Sequence, residues 1–369
     1  MMPQMSGEAG PAYGGKIAIA HDSLTQEGGA ERVLEALHEL FPDAPVYTLV
    51  LDLKLKQKYA GWDIRTSNLQ TLYLALGKFQ YLLPLVAYGV DTMDFSGYDL
   101  VISSSSTFIK NLRVPKQAKH ICYCHTPTRF LWSDENYVKQ EVPFGLRWLA
   151  RVFLRKLKKW DYSGAQRVTK FIANSQEVQK RIKKYYNRDS QVVYPFVEDY
   201  FFSQSNGPKK DYFLLAGRLQ PHKNNEMVVQ LFNQLNLPLH VVGTGRQEEY
   251  LKSIAKSNVK FYGRISDEEL KAQYQGALGY IYPQKEDFGL MPLEAAACGT
   301  ATIAFGQGGA LETVLPGKTG ELFQNRDELK RILLNWHAGN YRPENLTVQA
   351  SNFSRKNFIN NLLKIVNGQ

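Results

Sequence analysis

Glu286 and Glu294 are separated by seven residues, with Phe288-Gly289-Leu290 between them. Two carboxylates near one sugar can divide acid, base or nucleophile work, as they do in glycosidases. Arg218 and Lys223, five residues apart, suit a different chemistry. A guanidinium forks onto phosphate oxygens, and an ammonium adds a mobile point charge. A third set, Gly28-Gly29-Ala30, offers backbone amides with no side chain in the way of an approaching phosphate. Each has a plainer counterpart. A glutamate early in a helix favours the helix dipole by about 0.3–1 kcal/mol, exposed cations are commonly only solvated, and a glycine turn needs no ligand. The glycine loop also lacks the three spaced glycines of the dinucleotide fingerprint.

These residues need elements to hold them. A strand at Gly279 to Tyr282 leads into Glu286, and Pro292 opens a helix that Gly299 closes. That arrangement predicts Glu294 in the first helical turn and Glu286 in the loop before it. A strand at Phe213 to Ala216 delivers Arg218 and Lys223 past its carboxyl end, where open α/β sheets bind ligands. Lys16 to Ala20 feeds the glycine loop, followed by a helix with Ala30, Val33, Leu34, Leu37 and Phe41 on one stripe.

Similar runs recur at Val46 to Val50, Leu100 to Ser103, His120 to Cys124 and Phe171 to Asn174, then at Leu239 to Val242, Val259 to Tyr262 and Thr302 to Phe305. Strands alternating with helical patterns predict parallel sheets with crossover helices. The polar stretch Ser203 to Asp211 precedes the second series, and the linker is placed near residues 194–211. The expected class is α/β, with two Rossmann-like domains facing across a cleft. The boundaries are a flexible leader at 1–15, a first domain at 16–196, a second at 197–350, and a helix at 351–369 that can pack back on the first domain.

At 369 residues the chain is long enough for two cores, and 44% apolar with 22% charged content is that of a globular protein. Cys122 and Cys124 alternate with Ile121 and Tyr123, which predicts buried strand thiols rather than a disulfide framework; with Cys298 the count is odd, favouring a reducing compartment. The longest apolar stretch, Phe79 to Val90, is well short of the roughly 20 residues a spanning helix needs.

In their order along the chain these segments resemble family 4 of the retaining glycosyltransferases. The likeness rests on the Gly28-Gly29 loop, His125-Thr126-Pro127, Gly217-Arg218-Leu219-Gln220-Pro221-His222-Lys223 and the run Glu286 to Thr300, and it covers nearly the whole chain. Cys124 to Trp132 is most similar to bacterial mannosyltransferases of O-antigen and exopolysaccharide assembly.

The resemblance implies a GT-B fold, with an acceptor-side first domain and a nucleotide-sugar-binding second one. By the same resemblance, Arg218 and Lys223 neutralise the donor diphosphate, Glu294 accepts from the ribose hydroxyls and Glu286 contacts the transferred sugar. Backbone amides around Phe288, Gly289 and Leu290 hold sugar and phosphate, Gly28 and Gly29 touch the diphosphate, and His125 meets the sugar or the acceptor. Arg264 and Ile265 read the base; Gly243 and Gly245 line the crevice or serve only as a turn. The implied enzyme is a retaining hexosyltransferase that needs no metal and no cofactor, since the nucleotide-sugar is its substrate. GDP-mannose is the first expectation. A UDP-sugar with a soluble acceptor, a non-catalytic sugar-nucleotide binder and a nucleophilic Glu286 remain alternatives.

The net charge of +10 is uneven: Val101 to Ser190 holds 19 Lys and Arg against 6 Asp and Glu, a balance of +13. Leu146 to Trp160 places Leu149, Val152, Phe153, Leu157 and Trp160 on one helical stripe, with Arg147, Arg151, Arg155, Lys158 and Lys159 mainly elsewhere. Such a helix suits an anionic membrane surface, or packs its stripe on the core. The basic block lacks the motifs of a nucleic-acid binder. The expectation is a cytoplasmic protein, peripheral at the inner face of the membrane, with a lipid-linked or other glycan as acceptor.

Overall fold

The computed structural model describes residues 13–133, 142, 144–202 and 208–368. All but the last three residues of the expected leader lie outside these, as do residues 203–207 of the expected linker. The chain forms two compact units: one holds the residues up to Val193 together with those from Ile359 onward, the other is Tyr194–Phe358.

The first unit is built on seven parallel strands, β1 (Ile17–His21), β2 (Val46–Thr48), β3 (Ile64–Thr66), β4 (Leu100–Ser105), β5 (Lys119–Cys124), β6 (Lys170–Ala173) and β7 (Ser190–Val192). Their order is β3-β2-β1-β4-β5-β6-β7. The central strands are buried along nearly their whole length, which is why they read as unbroken apolar or small-residue runs. Cys122 and Cys124 are buried free thiols in β5.

The second unit has six parallel strands, β8 (Phe213–Ala216), β9 (Leu239–Val242), β10 (Val259–Gly263), β11 (Gly279–Tyr282), β12 (Thr302–Phe305) and β13 (Gly320–Phe323), in the order β10-β9-β8-β11-β12-β13. In each sheet the order turns back once, beside β1 and β4 in the first unit and beside β8 and β11 in the second. A crevice opens at the carboxyl ends of strands at such a point.

Two expectations are corrected here. The start of the expected linker, 194–202, is packed: Phe196, Val197 and Phe201 are buried, and Val197 bridges to Ser354 within the second unit. The basic helix spans Arg147–Arg167, and the single stripe expected on it divides. Leu157 is buried, and Phe153, Leu154 and Trp160 pack on the first unit's core, whereas Leu149 and Val152 are exposed together with Trp148 and Phe144. The core contact begins only at Phe153, so the turn before it lies past the core's edge.

Candidate active site

The second unit's candidate site grows from the switch point between β8 and β11. After β8 the chain passes Gly217 and Arg218 and enters a short 3-10 turn, Pro221–Lys223. Asn224 follows in the left-handed conformation (φ 55°), and its side-chain amide donates to the Pro283 carbonyl at 2.9 Å. That bond ties the cation-bearing loop to the loop after β11. Across the join, Lys223 Nζ lies 2.8 Å from Glu286 Oε1, with the two side chains 7% and 23% exposed. An ammonium has three donors. Pairing with Glu286 can therefore aim Lys223 while leaving it able to bind phosphate oxygens.

Glu286 is held from beneath by a turn that follows β12. The Gly309 amide donates to the Glu286 carbonyl at 2.9 Å, and a Cβ at Gly308 or Gly309 would collide with the backbone of Glu286 or Phe288. This glycine pair escaped the sequence reading, although adjacent glycines after an apolar run were the available signal. Phe288 is buried against Tyr194 and Phe353. Gly289 then turns the chain at φ 87°, where a side chain would also meet Tyr282 Oη at 2.9 Å.

The helix begins at Leu290 and runs to Ala297, two residues earlier than expected. Pro292 is its third residue rather than its first, and is tolerated because that amide has no partner within the helix anyway. Glu294 therefore lies beyond the first turn, and the helix-dipole explanation for it weakens. It is buried, with Tyr274 Oη donating to its Oε2 at 3.5 Å. A carboxylate so enclosed is poised for a small number of directed hydroxyl donors.

Arg218 is exposed at the mouth of the β8 loop. Arg264 and Ile265 follow β10, two strands away on the same sheet edge; Arg264 is exposed and Ile265 packs on the core. Gly243 and Gly245 have a packing role, since a Cβ at either would strike the backbone of Gly217 or Leu219. They let the β8 and β9 loops touch main chain to main chain.

In the first unit, Gly28 is the N-cap of helix Gly29–Leu40 in an extended conformation. His125 follows β5, and Ser104 Oγ of β4 lies 2.8 Å from its Nε2. Burial, with His21 nearby, pushes His125 down to about 4, so its ring is neutral near pH 7. The segment after it is anchored by Asp161, which receives hydrogen bonds from Lys110 (2.5 Å), Thr128 (3.3 Å), Trp132 (2.7 Å) and Tyr186 (2.8 Å). The Lys110–Asp161 pair is fully buried. Asp22, just past β1, accepts from four successive backbone amides, Ser106 to Ile109, and so fixes the loop after β4. Neither aspartate stood out in the sequence. Among the described residues no cluster of three or more His, Cys, Asp or Glu is placed to hold a metal ion.

Two parallel α/β units with a cation–carboxylate pair at one switch point and a histidine beside the other define a class, and comparison with known proteins agrees. Residues 27–199 match the model described as Glycosyltransferase Family 4, and residues 196–353 match Glycosyl transferases group 1. The chain belongs to family 4 of the glycosyltransferases.

Among curated relatives it is 25% identical over 278 residues to the Alpha-1,3/1,6-mannosyltransferase ALG2 of Dictyostelium discoideum, covering 62% of this chain and 64% of that one. It is 34% identical over 128 residues to the GDP-mannose-dependent alpha-(1-6)-phosphatidylinositol monomannoside mannosyltransferase of Mycolicibacterium smegmatis (30% and 34% covered). It is 27% identical over 200 residues to a probable sucrose-phosphate synthase of Thermosipho melanesiensis (46% and 47% covered). The match thus spans less than two thirds of each of these three relatives.

Among solved structures, Anabaena Alr3699/HepE in complex with UDP and glucose aligns with a TM-score of 0.69 at 18% identity, covering 96% of this chain and all of that one. Sucrose-phosphate synthase from Thermosynechococcus elongatus aligns with a TM-score of 0.66 at 17% identity (95% and 98% covered). At such identity these structures share the fold.

Proposed function

We propose that the chain is a retaining, metal-independent hexosyltransferase that moves mannose from GDP-mannose to a glycan acceptor, lipid-linked in surface polysaccharide synthesis. The observation that carries this reading is the Lys223–Glu286 pair beside Phe288-Gly289-Leu290 at the β8/β11 switch point. Departure of a nucleoside diphosphate leaves an oxocarbenium-like sugar and a growing negative charge, so the main catalytic demand is electrostatic. Lys223, aimed by Glu286, and Arg218 meet that charge. Glu286 also touches the sugar, Glu294 accepts from the ribose, and Arg264 and Ile265 contact the base. His125 is assigned to the sugar or the acceptor, and the Gly28-Gly29 turn to phosphates.

Mannose is favoured over other hexoses by the mannosyltransferase relatives, two of which are described as GDP-mannose-dependent. A UDP-hexose is the second reading, supported by HepE, whose structures carry UDP, UDP with glucose, or UDP-glucose. The acceptor side is read as a membrane surface at the cytoplasmic face, on the strength of exposed Phe144, Trp148, Leu149 and Val152 among Arg147, Arg151 and Arg155. Among the described residues no helix is long and apolar enough to cross a membrane.

Thermal-shift titration with GDP, UDP and ADP and their sugars tests the donor, because a ligand that binds only the native state raises its stability. GDP and GDP-mannose are expected to give the largest rise. A larger rise with UDP-glucose would replace the first reading with the second. Lys223→Ala and Glu286→Ala are each expected to abolish transfer while leaving the circular dichroism unchanged, and near-normal turnover in either sinks the site.

A further inference from the structure

Behind His125 runs a line of polar side chains in an otherwise apolar sheet. His125 Nε2 is 2.8 Å from Ser104 Oγ, which is 3.1 Å from His21 Nδ1. The other nitrogen of His21, Nε2, stands 3.6 Å from Glu31 Oε1. His21, Glu31 and Ser104 are all buried. They come from three elements, the end of β1, the helix Gly29–Leu40 and the end of β4, so the line crosses the first unit's switch point. Glu31 also reaches the glycine turn, since a Cβ at Gly28 would lie 3.2 Å from its Oε2. Among the described residues that oxygen has no hydrogen-bond partner.

A hydroxyl between two imidazoles has a single proton to give, so the two rings cannot be set independently. Burial pushes the Glu31 carboxyl up, but the contact with His21 outweighs it and holds the group below the ordinary carboxylate range. An ionised Glu31 keeps a proton on His21 Nε2. With His21 neutral, its Nδ1 is an acceptor and takes the Ser104 proton. Ser104 Oγ must then accept from His125 Nε2–H, and His125 Nδ1 is left with a lone pair. If His21 gains a second proton, every bond in the line reverses: Nδ1–H donates to Ser104, Ser104 donates to His125 Nε2, and His125 Nδ1 becomes a donor. Four groups face His21: Glu31 from the helix, Ser104 from β4, His125 from beyond β5, and adjacent Asp22, whose oxygens are taken by four amides.

We propose that Glu31, His21 and Ser104 are positioning residues that carry the protonation state of the Glu31–His21 pair to His125. They make His125 Nδ1 a hydrogen-bond acceptor, fit for a sugar or acceptor hydroxyl, whenever His21 is neutral. The inference rests on the reading of His125 as the group that meets the sugar or the acceptor. Its test needs no substrate, so the two fail separately: a chain that transfers no mannose still gives the spectra.

Nitrogen-15 spectra of the imidazoles, recorded on the full chain over a pH series, read the tautomers directly. Wherever the spectra show His21 neutral, His125 is expected to show a bare Nδ1 and a protonated Nε2, and wherever they show His21 doubly protonated, the reverse. In Ser104→Ala the two rings should separate, with His125 a mixture that no longer follows His21. In Glu31→Gln any change in the state of His21 should appear in His125 as well. His120, hydrogen-bonded to Ser103 outside the line, is the control for intact folding and should not move. A His125 that keeps one tautomer while His21 changes its protonation state overturns the proposal, as does a folded Ser104→Ala protein whose His125 still follows His21.

Discussion

Lys223 and Glu286 are 63 positions apart and meet only because β8 and β11 are neighbours in the sheet. The residue types on either side of that pair suggest phosphate and sugar chemistry from the sequence. The ion pair was not, because no local spacing encodes a partner on another strand. The same holds for Asn224, whose left-handed backbone and bond to Pro283 set the position of Lys223. Glu294 was singled out by spacing, yet its burial beneath Tyr274 depends on where the helix starts. At this scale we expect Glu294→Ala to raise the Kd for GDP by roughly 10–100-fold, the loss of charge-assisted hydrogen bonds worth about 1.5–3 kcal/mol. Isothermal titration checks it, and binding within twofold of the parent removes Glu294 from the ribose. Gly243 and Gly245 teach the opposite lesson. They stand in the right region, and close backbone packing accounts for them without a ligand.

Ten of the thirteen strands among the described residues were legible as apolar runs. The three that were not, β3, β7 and β13, lie at sheet edges, are three or four residues long and include polar side chains such as Arg65, Gln191 and Glu321. An edge strand is half solvated and loses the signal that burial writes into a central one. Helix starts were misjudged for a related reason, since Gly289, not Pro292, sets where helix Leu290–Ala297 begins. Gly289→Ala is expected to cost about 1–3 kcal/mol through its positive φ and its approach to Tyr282. Because the strain falls on the loop proposed to hold the donor, the thermal shift given by GDP-mannose should shrink along with the melting temperature of the free protein. A melting temperature at the parent's value would count against the strain.

The basic helix makes a second prediction at this scale. Trp148 and Val152 are exposed at its amino end, whereas Leu157 belongs to the core. Trp148→Ser with Val152→Ser should reduce sedimentation with anionic vesicles at low salt and leave the melting temperature within a degree or so. Equal recovery of the parent protein on neutral and anionic vesicles would rule out this surface as an anionic membrane site.

For the whole molecule, buried neutral histidines make stability sensitive to acid. Burial pushes His120 down to about 3 and His125 to about 4, against an ordinary value near 6.5. The folded form therefore resists protons that the unfolded chain accepts. Stability is full above about pH 7 and falls as pH drops from 6.5 toward these depressed values. His120 alone accounts for on the order of 2 kcal/mol between pH 8 and pH 5. Denaturant titrations at the two pH values should show a smaller loss in His120→Gln than in the parent; an equal loss would mean that His120 is charged in the folded state.

The division of the chain has a consequence for its biogenesis. The first unit holds both the residues up to Val193 and those from Ile359 onward, and the whole of Tyr194–Phe358 is translated in between. At about 5–20 residues per second the ribosome needs roughly 10–30 s to make that insert. Throughout that interval the first unit lacks its closing helical turns. Phe358 and Leu362 are buried on the two sides of the junction within one helix. The second unit, though made later, has its chain nearly complete before the first can close, so the order of synthesis is not the order of completion.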